Sequence, residues 1–385
     1  MPIHRTFRRF ACLVACLGAT GGGTCAESGL QVLFAPSPGS PLSAGSRPSD
    51  VLVADINGDG ALDVITANAG DSTLGVLLGD GHGGFHVAPG APVHLGVPPH
   101  LIAVGDFNSD SRLDLAASSH DSNDVQVLLG DGRGGFAAAP GSPFAAYTGV
   151  KAHNHGLAVA EVNGDGRLDI TVGHQETGSI AVLLGDGSGR FTPGPGSPIR
   201  LGRGFYPHAL ADVDGDGRLD LVAPDILGSA IVVALGDGRG GFSAAPGSPI
   251  HVKARPFFVL LEDLNGDGRT DIVATHDDSD DVDVLLGEGG GRFRSTGGFH
   301  AGGRGWEIAA VDLNADDHKD ILVLGNGALR GFLGDGKGGF VSVGSPYPTP
   351  RDSWTFGVGD VNKDGGVDVV FADLSTGKLT VLLHR

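Results

Sequence analysis

The chain has very little cysteine, few aromatic residues and no long apolar run. Its three cysteines, Cys12, Cys16 and Cys25, all lie near the N-terminus, so disulfide bonds cannot hold the rest of the chain together. No stretch of about eighteen apolar residues occurs, which excludes an ordinary membrane-spanning helix. Positive charge is also scarce, since 26 lysines and arginines stand against 45 acidic residues and give a formal net charge of −19. This balance argues against nucleic acid and anionic membrane surfaces as partners.

Glycine and apolar residues, in contrast, are abundant. The 68 glycines follow no period of three, which excludes a collagen-like chain, and a hydrophobic fraction of 40% is too high for a disordered linker. A length of 385 residues would accommodate two or three ordinary domains, although all-β folds often run longer as one unit. The composition therefore indicates a folded, acidic chain.

Residues 1–26 have the composition of an export signal. Three arginines precede a short apolar run, and the sequence GTCA then offers a small-residue cleavage point after Ala26. We therefore expect a protein that is secreted or resides in the cell envelope. A second interpretation stays open, because LVAC resembles the lipobox of bacterial lipoproteins and would make Cys16 the site of a lipid anchor. Beyond such an anchor we expect no membrane insertion.

A nine-residue acidic motif recurs seven times. Its copies are DINGDGALD, DFNSDSRLD, EVNGDGRLD, DVDGDGRLD, DLNGDGRTD, DLNADDHKD and DVNKDGGVD, which begin at positions 55, 106, 161, 212, 263, 312 and 360. Successive copies are therefore 48 to 55 residues apart. Copies at a period near fifty are typical of a propeller or a solenoid and not of separate domains.

Short apolar runs around each motif predict strands. A run such as VLVA precedes the motif, DVITA follows it, a third run reads GVLLGDG, and a phenylalanine opens a fourth such as FAAAPGSPF. These runs are rich in valine, isoleucine and leucine and are bounded by turn-forming residues. None has the length or the three-to-four spacing of a helix. Four strands in each of seven repeats predict an all-β fold, a seven-bladed β-propeller of four-stranded blades, with residues 27–385 as a single domain.

The two ends of the repeat array predict how the ring closes. The seventh repeat stops after its third strand, at LTVLLHR, while LQVLFAPSPGSPL stands alone before the first repeat. We expect this N-terminal strand, around Phe34, to complete the last blade and remove the open edges of the ring. An open solenoid would instead need polar capping repeats, which neither end resembles. We expect the closed ring to be a monomer.

The acidic motif has the ligand pattern of a calcium-binding loop. Side-chain oxygens at positions 1, 3, 5 and 9 and a backbone carbonyl at position 7 suit a hard cation of the size of Ca²⁺. Glycine at position 6 permits a sharp turn. An EF-hand shares the opening pattern but needs flanking helices and a glutamate at position 12, where the first loop has Thr66. The sequence therefore predicts up to seven structural Ca²⁺ ions in strand–loop–strand sites.

The expected ligands occupy positions 1, 3, 5, 7 and 9 of each loop. In blades 1 to 4 they are Asp55, Asn57, Asp59, Ala61, Asp63, Asp106, Asn108, Asp110, Arg112, Asp114, Glu161, Asn163, Asp165, Arg167, Asp169, Asp212, Asp214, Asp216, Arg218 and Asp220. In blades 5 to 7 they are Asp263, Asn265, Asp267, Arg269, Asp271, Asp312, Asn314, Asp316, His318, Asp320, Asp360, Asn362, Asp364, Gly366 and Asp368.

We do not expect the seven loops to bind equally well. Blade 3 has the longer Glu161 at position 1, and blades 2 and 6 replace the turn glycine with Ser111 and Asp317. Blade 4 has a fourth carboxylate, Asp214, and is expected to bind most tightly.

These loops, with the recurring LLGDGxGGF and APGSP segments, resemble the FG-GAP/VCBS repeat family, the propeller class also found at the head of integrin α chains. The resemblance covers residues 30–385. It implies calcium-stabilised blades, with the metal loops on one rim of the disc and ligand contacts usually on the other. A fold resemblance does not supply a ligand.

The positions six residues before each loop are expected to surround the axis at the opposite mouth. They are Ser49, His100, His155, Tyr206, Phe257, Trp306 and Trp354. A second set on the same face follows the second strands: Asn68, His120, His174, Asp225, His276 and Asp373. One interpretation is a packed aromatic plug. The other is a binding mouth, since aromatic surfaces with polar neighbours suit a sugar ring or a peptide; its candidate residues are His100, His155, Tyr206, Phe257, Trp306, Trp354, His174 and His276.

The functional expectation is an exported calcium-binding module for an extracellular carbohydrate or protein ligand. The sequence has no nucleophile elbow, phosphate loop or HExxH motif. The alternative is a calcium-dependent polysaccharide lyase or hydrolase, which would need His155, His174 and Asp225 to line one cleft opposite the calcium loops. A transition-metal site from His100, His155 and His208 is a weaker hypothesis.

Overall fold

The computed structural model describes residues 33–385, and the regular elements of this range are 35 β-strands in seven antiparallel sheets. The sheets are the blades of a seven-bladed β-propeller, as predicted. The export signal, its cysteines and the cleavage point after Ala26 lie outside the described residues. Within 33–385, no helix is long and apolar enough to cross a membrane.

The strands of each blade are numbered in chain order. Two N-terminal strands precede blade 1: β1 (Phe34–Pro36) and β2 (Leu42–Ser43). Blades 1 to 3 contain β3 (Pro48–Ala54), β4 (Asp63–Asn68), β5 (Thr73–Gly79), β6 (Phe85–Val87), β7 (Val93–His94), β8 (Ile102–Gly105), β9 (Asp114–Ala117), β10 (Asp124–Gly130), β11 (Phe136–Ala138), β12 (Phe144–Ala145), β13 (Asn154–Ala160), β14 (Asp169–His174), β15 (Ser179–Gly185), β16 (Phe191–Pro193) and β17 (Ile199–Arg200).

The remaining four blades follow the same order. They contain β18 (Ala209–Ala211), β19 (Asp220–Asp225), β20 (Ala230–Gly236), β21 (Phe242–Ala244), β22 (Ile250–His251), β23 (Pro256–Glu262), β24 (Asp271–His276), β25 (Asp281–Gly289), β26 (Arg292–Ser295), β27 (Phe299–His300), β28 (Glu307–Val311), β29 (Asp320–Gly325), β30 (Ala328–Gly334), β31 (Phe340–Ser342), β32 (Tyr347–Pro348), β33 (Phe356–Gly359), β34 (Asp368–Asp373) and β35 (Lys378–His384).

The outer strand of each blade is split into two segments. In blade 2, β11 pairs with the end of β10, and β12 pairs with its start, where Val125 lies opposite Phe144. The APGSP segment forms the turn between them, and its Ser142 hydroxyl accepts a hydrogen bond of 2.9 Å from the Val127 backbone N–H. The same contact recurs in blades 3, 4 and 7. The predicted four-stranded blade therefore has five strand segments, and the serine of the APGSP motif ties the turn to the third strand.

The N-terminal strands complete blade 7, which confirms the predicted ring closure. β1 pairs antiparallel with β35, so that Phe34 lies opposite His384. β2 pairs with the start of the same strand, where Leu42 lies opposite Leu379. The two ends of the described chain thus share one sheet, and blade 7 has the same outer edge as the others.

The hydrophobic core lies between the blades. Seven apolar clusters each join two neighbouring blades, and the one between blades 7 and 1 includes Val51 and Val64 on one side and Val370 and Leu379 on the other. The first strands are innermost, since β3 contacts both β8 and β33. Each blade is apolar on both faces because each face packs against a neighbouring blade. This packing explains the unbroken apolar runs in the sequence.

Candidate functional site

The acidic loops connect the first and second strands of each blade and wrap around their own carboxylates. In the first loop, the backbone N–H groups of Gly58 and Gly60 donate to the Asp55 carboxylate at 2.8 and 2.9 Å. The N–H of Ala61 donates to Asp59 at 2.8 Å. These backbone bonds hold the carboxylates of positions 1 and 5 in a tight turn.

Two positions of every loop have a left-handed backbone. Position 6 has a positive φ in all seven loops, as its glycine predicted, and Ser111 and Asp317 adopt φ values of 67° and 66° there. Position 4 also has a positive φ in all seven loops, which the motif did not predict, and in blade 6 this residue is Ala315, with a φ of 57°. A non-glycine residue in this conformation costs roughly 1 kcal/mol. The loops of blades 2 and 6 therefore carry this strain at both positions and the loop of blade 7 at one, Lys363, whereas the loops with glycine at both positions avoid it.

The aspartate at position 9 has a structural role besides its predicted one as a ligand. Asp63 is fully buried, and its carboxylate accepts hydrogen bonds from the N–H of Ile56 at 2.9 Å and of Gly79 at 2.8 Å. The equivalent aspartate in every other blade makes the same two contacts. Burial raises the pKa of all seven, to about 6 for Asp169 and Asp368. This residue ties the acidic loop to the third strand.

The donor set of the loops fits Ca²⁺. In blade 4, Asp212, Asp214 and Asp216 bring carboxylate oxygens within 4.8 Å of one another. Ca²⁺ binds oxygens at about 2.3–2.6 Å, so one ion could contact all three groups. The guanidinium of Arg218 contacts Asp216 and would share this carboxylate with the ion. Carboxylate, amide and carbonyl oxygens are the ligands that this cation prefers.

The positions six residues before the loops come together at the opposite end of the first strands, roughly 20 Å away at about 3.3 Å per residue. Six of their side-chain rings form a continuous arc, with centroid separations of 5.2 Å for His100–His155, 4.4 Å for His155–Tyr206, 4.7 Å for Tyr206–Phe257, 5.4 Å for Phe257–Trp306 and 5.8 Å for Trp306–Trp354. We call these six residues the aromatic arc, and the opening that they surround with Ser49 the mouth. The Ser49 hydroxyl donates to the carbonyl oxygen of His100 at 3.1 Å.

β-Bulges turn several of these side chains towards the mouth. The pairing of the first and second strands is irregular around Ser49, His155 and Phe257, in blades 1, 3 and 5. A bulge inserts one extra residue and re-aims its side chain. The spacing of the motifs predicts these positions, but the sequence pattern does not indicate the bulges.

The six rings of the arc differ in exposure, with one ring buried, one exposed and the other four intermediate. His155 is only 8% exposed, whereas Trp354 is 51% exposed, and Tyr206, Phe257 and Trp306 are half-buried. The histidine end therefore resembles the packed plug, and the tryptophan end presents an open aromatic surface. The burial of His155 fits the plug interpretation, and Trp354 has the exposed aromatic face that the binding interpretation requires.

Charged groups flank the arc. Arg255 lies 3.4 Å from Asp277, and partial burial raises the pKa of that carboxyl. Next to the histidines, the Glu176 carboxylate contacts Lys151 at 3.6 Å and His153 at 3.2 Å. The mouth thus combines aromatic faces with hydrogen-bonding groups at its rim.

The second set of predicted residues is largely buried and internally bonded. His174 and His276 are 0% and 1% exposed; Nε2 of the first lies 2.9 Å from the carbonyl oxygen of Lys151 and Nε2 of the second 3.0 Å from Asp283. The structure therefore does not bring these two candidate ligand residues to the surface of the mouth. Asn68 and Asp373 likewise bond to neighbouring loop groups.

The residues required by the enzyme alternative do not line one cleft. The buried Asp225 carboxylate accepts hydrogen bonds from the N–H groups of Arg203 and Gly204 at 3.0 and 2.9 Å. His174 is fully buried.

The predicted grouping of His100 and His155 with His208 is wrong in its third member. His208 is buried, and its Nε2 lies 2.7 Å from the Thr171 hydroxyl. His120 takes its place in the group, since its ring centroid lies 3.5 Å from that of His100. The sequence signal for this residue was its position directly after the second strand.

Five copies of an FG-GAP-like repeat match the chain, at residues 55–117, 106–172, 161–223, 263–323 and 312–371. The chain belongs to the FG-GAP-like repeat family. Each matched segment of this FG-GAP-like propeller begins with an acidic loop and ends in the second strand of the next blade. No curated protein matches the chain by sequence.

Several solved propellers share the fold of this FG-GAP-like chain. BBS1N, solved in complex with ARL6DN, is 15% identical with a TM-score of 0.62, over 92% of this chain and 97% of that one. A lectin from Agrocybe aegerita that recognises non-reducing terminal N-acetylglucosamine is 21% identical with a TM-score of 0.52, over 85% of both chains. Virginiamycin B lyase from Staphylococcus aureus is 12% identical with a TM-score of 0.55, over 91% of this chain and 99% of that one. At these identities the likeness concerns the fold alone.

Proposed function

We propose that this FG-GAP-like propeller is an exported, calcium-stabilised binding module whose carbohydrate or protein ligand contacts the tryptophan end of the mouth. The observation that carries the proposal is the aromatic arc, which ends in the half-exposed indole of Trp354 beside the ring of Trp306. Exposed aromatic side chains with polar neighbours are typical of binding surfaces. FG-GAP repeats in a propeller fit a module of this kind.

The two ligand classes have support of the same kind. One solved propeller of this shape is a lectin, and another is held in a complex with a protein partner. Trp354 offers a flat apolar face to a sugar ring or to a side chain. The pair of Arg255 and Asp277, which acts electrostatically on Tyr206, offers a donor and an acceptor beside the arc. Binding experiments must therefore distinguish a carbohydrate ligand from a protein ligand.

Intrinsic fluorescence gives a direct test, because Trp306 and Trp354 are the only tryptophans of the chain. Candidate ligands are first selected by a glycan array or by a search for protein partners. We expect a true ligand to change the tryptophan fluorescence when it is titrated into the protein in the presence of Ca²⁺. Trp354→Ala should weaken the binding of such a ligand at least tenfold. The control is Val341→Ala, an exposed apolar residue on an outer strand, which should bind as the parent does. Binding that is unchanged in Trp354→Ala would contradict the proposed site.

The calcium part is tested separately by chelation. Removing Ca²⁺ should lower the melting temperature of the mature protein, because an ion that binds only the folded state stabilises it by mass action. Asp216→Ala in blade 4 should reduce this calcium-dependent stability more than Asp316→Ala in blade 6, where Ala315 and Asp317 already strain the loop. A melting temperature that does not respond to excess chelator would rule out structural calcium.

A further inference from the structure

Three imidazole rings from two neighbouring blades form a compact group at the histidine end of the arc, which we call the histidine cluster. His100 precedes β8, His120 follows β9, and His155 occupies the bulge at the start of β13. Their ring centroids are separated by 3.5 Å (His100–His120), 4.1 Å (His120–His155) and 5.2 Å (His100–His155). Each ring offers a nitrogen within 4.8 Å of a nitrogen of the other two.

The three rings are held in the form that binds metal ions. Burial, with the neighbouring histidines, places the pKa of His100 well below its ordinary value, that of His120 at about 4 and that of His155 at about 2. All three imidazoles are therefore neutral at neutral pH, with a nitrogen lone pair available.

One ring nitrogen of the cluster lacks a partner. Within the part of the chain that the structure describes, Nε2 of His120 is buried and accepts or donates no hydrogen bond. A buried polar atom without a hydrogen bond is destabilising unless a bound group satisfies it. A metal ion between the three rings would satisfy it.

We propose that His100, His120 and His155 bind a divalent transition metal, with Zn²⁺ as the best match. Three histidines with one further position are an established zinc ligand set, and imidazole suits Zn²⁺ whereas the oxygen ligands of the acidic loops suit Ca²⁺. Zn–N bonds of about 2.0–2.1 Å place ligand nitrogens roughly 3.4 Å apart, so small side-chain rotations would close the site. This site is independent of the proposed ligand and of the calcium loops.

The fourth coordination position has two candidates. The ring of His153 lies 4.7 Å from that of His155, but its Nδ1 is engaged by the Glu176 carboxylate at 3.2 Å. A water molecule completes the shell if this pair persists. Release of His153 from Glu176 would supply a fourth imidazole instead.

The test measures metal retention by the full chain in excess Ca²⁺, so that the acidic loops are filled. After equilibration with Zn²⁺ and removal of unbound metal, we expect the parent chain to retain one more zinc ion per molecule than chains in which a histidine of the cluster is replaced. His120→Phe and His100→Phe keep an aromatic ring in place and should each weaken zinc binding at least tenfold. His94→Ala, an exposed histidine on β7, should bind as the parent does.

Two outcomes would overturn the proposal. One is a parent chain that retains no more zinc than His120→Phe and His100→Phe, and the other is a loss of zinc in His94→Ala of the same size. The three cysteines are present in all of these proteins, so that their contribution cancels. Melting curves in Ca²⁺ show whether a variant is folded, and the folded one of the two phenylalanine variants then decides. Co²⁺ in place of Zn²⁺ gives a second readout, since a tetrahedral nitrogen site produces a visible absorption that the variants should lack.

Discussion

The indole rings of Trp306 and Trp354 are stacked, with their centroids 5.8 Å apart and their planes 25° from parallel. They come from adjacent blades and from the same position relative to the acidic loop. Trp306 is half-buried against Phe257, whereas half of Trp354 faces solvent. The stack thus joins the packed part of the aromatic arc to its open end.

Replacing Trp354 with alanine should cost little stability. A side chain that is 51% exposed leaves no enclosed cavity, so we expect a loss within about 1 kcal/mol, compared with about 3–5 kcal/mol for an aromatic residue removed from a core. Denaturant unfolding in Ca²⁺ measures this directly. A loss above about 3 kcal/mol would show that the tryptophan end is also a plug.

Much of this architecture could be predicted from the spacing of seven acidic motifs. The spacing fixed the number of blades, the strand order and the residues around the mouth, because each repeat places equivalent positions at equivalent points of the ring. Contacts between repeats were harder. The pairing of His120 with His100, and the burial of His174, depend on side-chain direction and on bulges, which a strand pattern does not encode.

The same limit applies within the loops. The sequence marked Asp63 only as a ligand, although it also accepts the backbone N–H of Gly79, which is sixteen residues away. The two residues come within hydrogen-bonding distance only because the second and third strands are paired, and the sequence motif does not contain this pairing. The left-handed backbone at position 4 was hidden because blades 2, 6 and 7 have Ser109, Ala315 and Lys363 there in place of glycine.

Removing the side chain of Phe34 should destabilise the whole ring. Phe34 is 1% exposed, packs in the cluster between blades 6 and 7 and meets the ring of His384 edge-on at 5.5 Å. We expect Phe34→Ala to lower the free energy of unfolding by about 3–5 kcal/mol. Val341→Ala, at a 72% exposed position of an outer strand, is the control and should change it by less than about 0.5 kcal/mol. Similar values for both variants would mean that the N-terminal strand does not hold the ring closed.

The two aspartates at positions 5 and 9 of blade 5 should respond differently to calcium. Asp271 is buried and accepts hydrogen bonds from the N–H groups of Gly287 at 2.7 Å and Leu264 at 3.0 Å, so Asp271→Ala should destabilise the protein both with Ca²⁺ and in chelator. Asp267 is more exposed and contacts Arg269, an ion pair of a kind that is worth little at a surface. Asp267 also accepts a hydrogen bond of 2.9 Å from the backbone N–H of Arg269, so Asp267→Ala should lower the melting temperature slightly in chelator and much more when Ca²⁺ is present.

Melting curves of both variants in the two conditions separate the roles. An equal effect of Asp267→Ala in chelator would argue against its role as a calcium ligand. A silent Asp271→Ala in chelator would argue against the tie between the loop and the third strand.

Acid should destabilise the protein in part through His208. Burial lowers the pKa of His208 to about 4, whereas the same side chain in the unfolded chain titrates near 6.5. Between these two pH values the unfolded state binds the extra proton, so the free energy of unfolding falls as the pH falls from 6.5 to 4. One such group contributes a slope of at most about 1.4 kcal/mol per pH unit.

His208→Gln removes the titrating ring and leaves a polar group within reach of Thr171, so the free energy of unfolding of this variant should depend less steeply on pH across this range. His251→Gln, on an exposed outer strand, should keep the slope of the parent. Denaturant unfolding at several pH values, with Ca²⁺ held constant, provides the comparison, and identical slopes for the parent and His208→Gln would mean that His208 is not held neutral in the fold.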